Sequence, residues 1–149
     1  MVEKNSNYNP KKLKVLVIDD HDPIRKAVKR VLLSMDFVDI TETYDGSEGI
    51  SLIKSKRYDL VICDLFMRNV DGFAVLNFVR DLSMGSDLPF IIVTGEASKE
   101  DIVKAADMGA DDYVLKPFQA NDLETKVNSV LKKYFAPSQL AEAQRQAEL

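Results

Sequence analysis

The chain has 149 residues, 46% hydrophobic and 30% charged, with a formal net charge of −4 and one cysteine. That size and balance describe one ordinary folded domain. No apolar stretch approaches the roughly 18 residues of a membrane span, and no basic excess of the kind that grips nucleic acid is present.

The lone cysteine, Cys63, excludes an internal disulfide and fits a reducing compartment, so the cytoplasm is the expected setting. Met1–Lys12 is polar, lacks the apolar core of a signal peptide and is expected to be a flexible N-terminal segment. The run Val15-Leu16-Val17-Ile18 predicts a strand over Lys14–Ile18, closed by Asp19-Asp20. The next helix takes Asp22 as N-cap and Pro23 at its first position. Its Ile24, Val28, Val31, Leu32 and Met35 fall at helical spacing and face a sheet. Val38–Thr43 reads as a second strand, wet on one face or edge because Asp39 and Glu42 interrupt it.

A helix carrying Ile50, Leu52 and Ile53 follows Asp45-Gly46, and a third strand over Asp59–Cys63 ends on Asp64. Asp64–Gly72 is a loop before a helix over Phe73–Ser83. The fourth strand starts at Pro89, runs through Phe90-Ile91-Ile92-Val93 and ends on Thr94. Ser98 and Asp101 form a capping box, with Asp for the usual Glu or Gln, opening a helix over Lys99–Met108 that stops at Gly109. The fifth strand, Asp112–Leu115, leads to Lys116. Asn121 and Glu124 open a last helix through Tyr134, with Leu123, Val127, Val130 and Leu131 inward. Ala136–Leu149, rich in Ala, Gln and Glu around Pro137, is a helical tail or linker, which leaves 13–135 as the domain.

Strands alternating with helices predict an α/β fold, one parallel sheet with helices on both faces, because crossovers are right-handed. In such a sheet, residues just past the carboxyl ends of the strands line one crevice. Asp19, Asp20, Asp64, Thr94 and Lys116 should meet there. Carboxylates 4 Å apart repel by about 4 kcal/mol at an effective dielectric of 20, and a divalent cation relieves that. Oxygen donors point to Mg2+, with Mn2+ as a substitute. His21, the only histidine, reads as a loop residue rather than a ligand, and zinc lacks a donor set. A carboxylate beside Mg2+ can attack phosphorus to give an acyl phosphate. Lys116 would then add positive charge and Thr94 a hydroxyl hydrogen bond. Cys63 reads as a small buried hydrophobe, and the basic cluster of Arg25, Lys26, Lys29 and Arg30 as a solvated helix face.

Four segments occur together in a telling order. They are Val17-Ile18-Asp19-Asp20; Asp64 with Met67 and Asp71-Gly72; Thr94-Gly95; and Gly109-Ala110-Asp111-Asp112-Tyr113-Val114-Leu115-Lys116-Pro117-Phe118. Over about Leu13–Phe135 the chain resembles the response-regulator receiver domains (CheY-like superfamily) of two-component signalling. The resemblance implies a doubly wound, flavodoxin-like five-stranded sheet in the order 2-1-3-4-5. It implies a phosphoryl group taken by Asp64 from a sensor histidine kinase or a histidine phosphotransfer protein. Mg2+ would be held by Asp19, Asp20, Asp64 and the main-chain carbonyl of Phe66. Lys116 would meet the phosphoryl group, Thr94 and Tyr113 would be the switch pair, and the Lys116-Pro117 bond would be cis.

The same resemblance implies an output face made of the fourth helix, fifth strand and fifth helix, read by an unknown output protein or a trimmed effector domain. A stand-alone regulator is the expectation: a monomer or weak dimer, binding neither nucleic acid nor membrane itself. It would not be an enzyme beyond assisting its own phosphorylation and dephosphorylation. One departure stands out, because Arg68 follows Met67 where the family usually has proline. Arg68 places a cation near the pocket, to dock a partner or alter the phosphoryl lifetime. Phe66, bulky and two residues past Asp64, predicts slowed dephosphorylation.

Three rivals fit less well. A haloacid-dehalogenase-type phosphatase has an Asp-x-Asp signature that Asp20-His21-Asp22 imitates, but its later acidic pair should follow the lysine, and Asp111-Asp112 precede Lys116. A flavodoxin-like FMN carrier needs an anion-cradling loop after strand one, where four residues, Asp19-Asp20-His21-Asp22, would repel phosphate unless a metal intervened. A degenerate receiver usually lacks a pocket residue, and none is missing here.

Overall fold

The computed structural model describes residues 8–81 and 87–135. Five strands, β1 (Lys14–Ile18), β2 (Asp39–Thr43), β3 (Leu60–Cys63), β4 (Phe90–Thr94) and β5 (Asp112–Leu115), form one parallel sheet. Their order is β2-β1-β3-β4-β5, as the resemblance implied. Ile18 pairs with both Thr43 and Cys63, Cys63 with Ile92, and Thr94 with Leu115. The carboxyl ends of neighbouring strands are therefore nearly level.

Successive side chains of a strand point to opposite faces, and this divides the apolar interior in two. Val15, Val17, Leu60, Ile62, Ile91, Val93 and Val114 pack against α1 (Asp22–Ser34) and α5 (Ala120–Phe135). Leu16, Ile18, Val61, Cys63, Phe90 and Ile92 pack against α2 (Gly46–Ser55), α3 (Gly72–Asp81) and α4 (Lys99–Asp107). Burial on both faces is why β1, β3 and β4 read as unbroken apolar runs. β2 lies at the edge, where only Thr43 is buried, and its Asp39 is exposed.

The helix ends show how local chemistry selects boundaries. Ser98 and Asp101 make the full capping box, and Gly109 closes α4 at φ +104°, a conformation costly for any side chain with a Cβ. Several boundaries, at β2, β3, β4, α3 and α4, shift by one residue from the sequence reading, and two helix caps are made by other residues than it named. α1 begins at Asp22 with His21 in the cap position, and the Asp22 carboxylate accepts from Arg25 (2.5 Å) instead of capping the backbone. α5 begins at Ala120, so the reciprocal pair is Gln119 and Asp122 rather than Asn121 and Glu124. The Gln119 amide donates to the Asp122 carboxylate (2.9 Å), because an acid three residues past the cap reaches back to it.

Residues 8–12, placed by sequence in a flexible segment, are anchored. Asn9 caps a short 3-10 turn over Pro10–Lys12, while Tyr8 lies 6.4 Å from the rings of both Phe37 and Phe135 and donates to Asn128. Aromatic contact at one residue outweighs the polar composition around it. The predicted end of the third helix at Ser83 and the tail at 136–149 lie outside the described residues. No helix among the described residues is long and apolar enough to cross a membrane.

Candidate functional site

The sheet extends its pairing just past the strands. Asp19 donates its amide to the Thr43 carbonyl (3.1 Å), Asp64 to Ile18 (3.0 Å) and Lys116 to Thr94 (2.9 Å). Each residue is thus held by backbone bonds at the carboxyl edge, where the strand order leaves a crevice above β1, β3 and β4. Gly72 completes the frame, because a Cβ there would lie 2.1 Å from the Asp64 carbonyl oxygen. Only a glycine lets α3 start this close to the loop that follows β3.

Asp19, Asp64 and Thr94 are all buried, at 2%, 3% and 1% exposure. The Lys116 Nζ bridges the first two, 2.9 Å from Asp19 Oδ2 and 3.0 Å from Asp64 Oδ2. Asp19 Oδ1 accepts from the His21 amide (2.9 Å) and Asp64 Oδ1 from the Phe66 amide (3.3 Å). Arg25 donates to the Asp19 carbonyl (2.8 Å), which ties α1 to the same edge. Two polar atoms are left over. Among the described residues Asp20 Oδ1 and Thr94 Oγ1 are buried with no hydrogen-bond partner, although the His21 Nδ1 lies 3.0 Å from the Asp20 oxygen.

Burial raises the Asp19 carboxyl above the usual range, opposed in part by the hydrogen bonds from the His21 amide and Lys116. Burial by itself lowers the Lys116 ammonium, but hydrogen bonds to Asp19 and Asp64 and their charges outweigh it, so its pKa rises and the cation persists. The lysine therefore keeps its charge between the two carboxylates. The Cys63 thiol is pushed well up, first by burial and then by Asp64 and Asp19, which keeps it an unreactive thiol.

These groups open into a cleft of about 200 Å³ lined by His21, Asp64, Phe66, Thr94, Glu96 and Lys116, among others. A larger hollow of about 580 Å³ runs along α4 beside Val103 and Lys104. It holds no buried ionisable group, so the chemistry lies in the smaller cleft. Asp19, Asp20, His21 and Asp64 each offer one donor atom, all within 4.8 Å of one another, a set that can hold a metal ion.

The structure brings Asp19, Asp20, Asp64, Thr94 and Lys116 together as expected. The Lys116-Pro117 bond is cis. Tyr113 stands apart on β5, 39% exposed, with the Lys126 Nζ 5.5 Å from its ring centre. The Phe66 ring sits at the cleft rim in edge contact with Phe73 (6.3 Å between centroids). Arg68 is exposed and makes no ion pair among the described residues. The bend of that loop is made at Asn69, at φ +66°. Glu96 is a cleft residue that sequence reasoning passed over, and His21, read from sequence as a loop residue rather than a ligand, lines the cleft as well. The signal for His21 was its place directly after the aspartate pair.

Known proteins agree with this geometry. The family model described as "Response regulator receiver domain" matches residues 15–128. The chain is 31% identical over 121 residues to the chemotaxis protein CheY of Pseudomonas aeruginosa, covering 81% of this chain and 98% of that protein. It is 37% identical over 122 residues to the probable transcriptional regulator ycf27 of Porphyridium aerugineum, covering 82% of this chain and 49% of the relative. The chain therefore spans about half the length of the ycf27 regulators it matches. The crystal structure of chemotaxis protein CheY4 of Vibrio cholerae superposes with a TM-score of 0.73 at 29% identity, covering 79% of this chain and 98% of that one. Sheet order, crevice and matched residues agree, and the chain belongs to the response regulator receiver domains of two-component signalling.

Proposed function

We propose that this domain is a phosphorylation-driven switch in which Asp64 is the phosphoacceptor and Mg2+ the metal. The observation that carries the reading is the Lys116 bridge between Asp19 and Asp64, with the unpartnered Thr94 hydroxyl in the same cleft. A buried nucleophile, a fixed cation and an unused donor meet at one point. That is what the transfer of a charged phosphoryl group requires.

The donor set fits a hard divalent cation. Asp19, Asp20 and Asp64 supply carboxylate oxygens that lie within 4.8 Å of one another. These three and the Phe66 main-chain carbonyl would hold Mg2+, or Mn2+ in its place. When bound, the ion neutralises charge on the phosphoryl oxygens and the surrounding carboxylates.

The donor is the phosphohistidine of a sensor histidine kinase or a histidine phosphotransfer protein. An Asp64 carboxylate oxygen forms the new O–P bond as the N–P bond of the donor breaks, and that electron pair returns to the donor imidazole. Lys116 compensates charge on one phosphoryl oxygen, and Thr94 donates its hydroxyl to another. The movement of Thr94 vacates volume behind it, into which the exposed Tyr113 ring turns. A local change of charge thereby biases a two-state element. The output surface is α4, β5 and α5, available to a partner protein or an effector domain. The domain acts in the cytoplasm, is not an enzyme beyond assisting its own phosphorylation and dephosphorylation, and is a monomer or weak dimer.

The test is incubation with acetyl phosphate and Mg2+, followed by intact mass. The wild type should gain one phosphoryl group and Asp64→Ala none. Recovery of the same phosphoform from the variant would overturn the assignment.

A further inference from the structure

His21 is a cleft residue that the switch just described does not use. The geometry points to a further ligand beside the three carboxylates and the Phe66 carbonyl: the His21 imidazole joins them through Nδ1, and the site prefers a divalent transition-metal ion to Mg2+. The inference rests on the metal reading of Asp19, Asp20 and Asp64 proposed above.

The helix start does not account for where this side chain lies. His21 occupies the cap position of α1, yet its side chain makes no capping bond. Its backbone is fixed on both sides, the amide donating to Asp19 Oδ1 (2.9 Å) and the carbonyl accepting from the Arg25 amide (3.0 Å). The imidazole is turned over the carboxylates. Nδ1 lies 3.0 Å from Asp20 Oδ1, 3.3 Å from Asp19 Oδ1 and 3.9 Å from Asp64 Oδ2.

Those spacings match a coordination shell. With metal–ligand bonds of about 2.1 Å, adjacent ligands of an octahedron lie about 3.0 Å apart and opposite ones about 4.2 Å apart. Lys116 holds both Asp19 and Asp64 by Oδ2, which leaves Asp19 Oδ1 facing the imidazole, while the Asp64 oxygen 3.9 Å from it is shared with the lysine. The Thr94 hydroxyl, 1% exposed and without a partner in the same cleft, is left for the phosphoryl oxygen and does not compete with His21 for the ion. His21 itself is well exposed, with 63% of its side-chain area accessible, so the ring can adjust to an ion without disturbing the core.

Donor type decides the preference. Carboxylates and carbonyls alone suit Mg2+, whereas an imidazole raises affinity along the series from Mn2+ to Co2+ and Ni2+. One neutral nitrogen among oxygen ligands therefore separates the ions more than it strengthens the site for all of them.

Pulsed electron paramagnetic resonance of Mn2+ on the full chain reads the nitrogen directly. The wild type should show the nitrogen modulation of a bound imidazole, and His21→Ala should lose it while still binding Mn2+. Measured by titration, Co2+ affinity should fall at least about tenfold in His21→Ala, while Mg2+ affinity changes by less than about twofold. Asp20→Asn serves as the control for the carboxylate site. If that control abolishes Mn2+ binding but wild type lacks the nitrogen signal, or His21→Ala leaves Co2+ affinity unchanged, the His21 inference fails and the carboxylate reading stands. If wild type binds no Mn2+, or Asp20→Asn binds it undiminished, both fail.

Discussion

Asp111 joins the start of β4 to the start of β5, and its removal should unsettle the edge that carries the site. Its amide donates to the Phe90 carbonyl (2.9 Å), and its carboxylate accepts from the Phe90 amide (2.8 Å), from Arg80 (3.1 Å) and from the Tyr134 hydroxyl (3.0 Å). This clamp sets the β4–β5 register that places Thr94 beside Leu115 and hence Lys116 next to the cleft. Phe90 is fully buried, so Asp111→Ala strands its amide at about 1–3 kcal/mol. The ion pair with Arg80 is about 15% exposed on each side and adds about 1 kcal/mol, reduced because Arg80 keeps its bonds to Leu88 and Gly109. The expected loss is about 2–4 kcal/mol for Asp111→Ala, and about 1 kcal/mol for both Asp111→Asn, which retains an acceptor, and Tyr134→Phe. Urea denaturation followed by circular dichroism measures all three. An Asp111→Ala cost below about 1 kcal/mol, or no larger than that of Tyr134→Phe, would refute the clamp.

Two more expectations test separate parts of the reasoning. Tyr134 has its hydroxyl pKa pushed up to about 12, first by burial and then by the charge and hydrogen bond of Asp111. An unfolded tyrosine ionises near pH 10, so the stability Tyr134 contributes is whole below pH 10 and is lost as pH climbs towards 12. Ultraviolet titration should show one tyrosine ionising last, and Tyr134→Phe should flatten the alkaline limb of the stability curve; a limb unchanged by the substitution would contradict this. The Phe66 ring at the rim of the cleft should slow attack of water on the Asp64 acyl phosphate. Phe66→Asn should therefore shorten the phosphoryl lifetime several-fold in a single-turnover decay assay, and equal lifetimes would remove Phe66 from the account.

What sequence could show follows from which forces act locally. Burial on both faces makes a strand apolar throughout, so β1, β3 and β4 announce themselves, and β5 is bracketed by Gly109 and Pro117. Ser98 with Asp101 is read correctly because a capping box is complete within four residues. The ends of α1 and α5 moved because several nearby acids can cap, and three-dimensional competition, Arg25 for Asp22 and the Gln119 amide for Asp122, picks among them. Tyr8 looked like part of a polar leader because its partners, Phe37, Asn128 and Phe135, are remote in sequence.

The same division holds at the site. Chain order alone determined that three aspartates, a threonine and a lysine follow apolar strands, and a parallel sheet must then gather them at one edge. Only the folded structure decided that Lys116 bridges Asp19 and Asp64, that the Thr94 hydroxyl is left without a partner, and that His21 turns over the carboxylates. Strand ends are placed by hydrogen-bond periodicity, which a sequence carries in its apolar pattern. Side-chain pairing depends on distances across the sheet, and those exist only once the crossovers have closed.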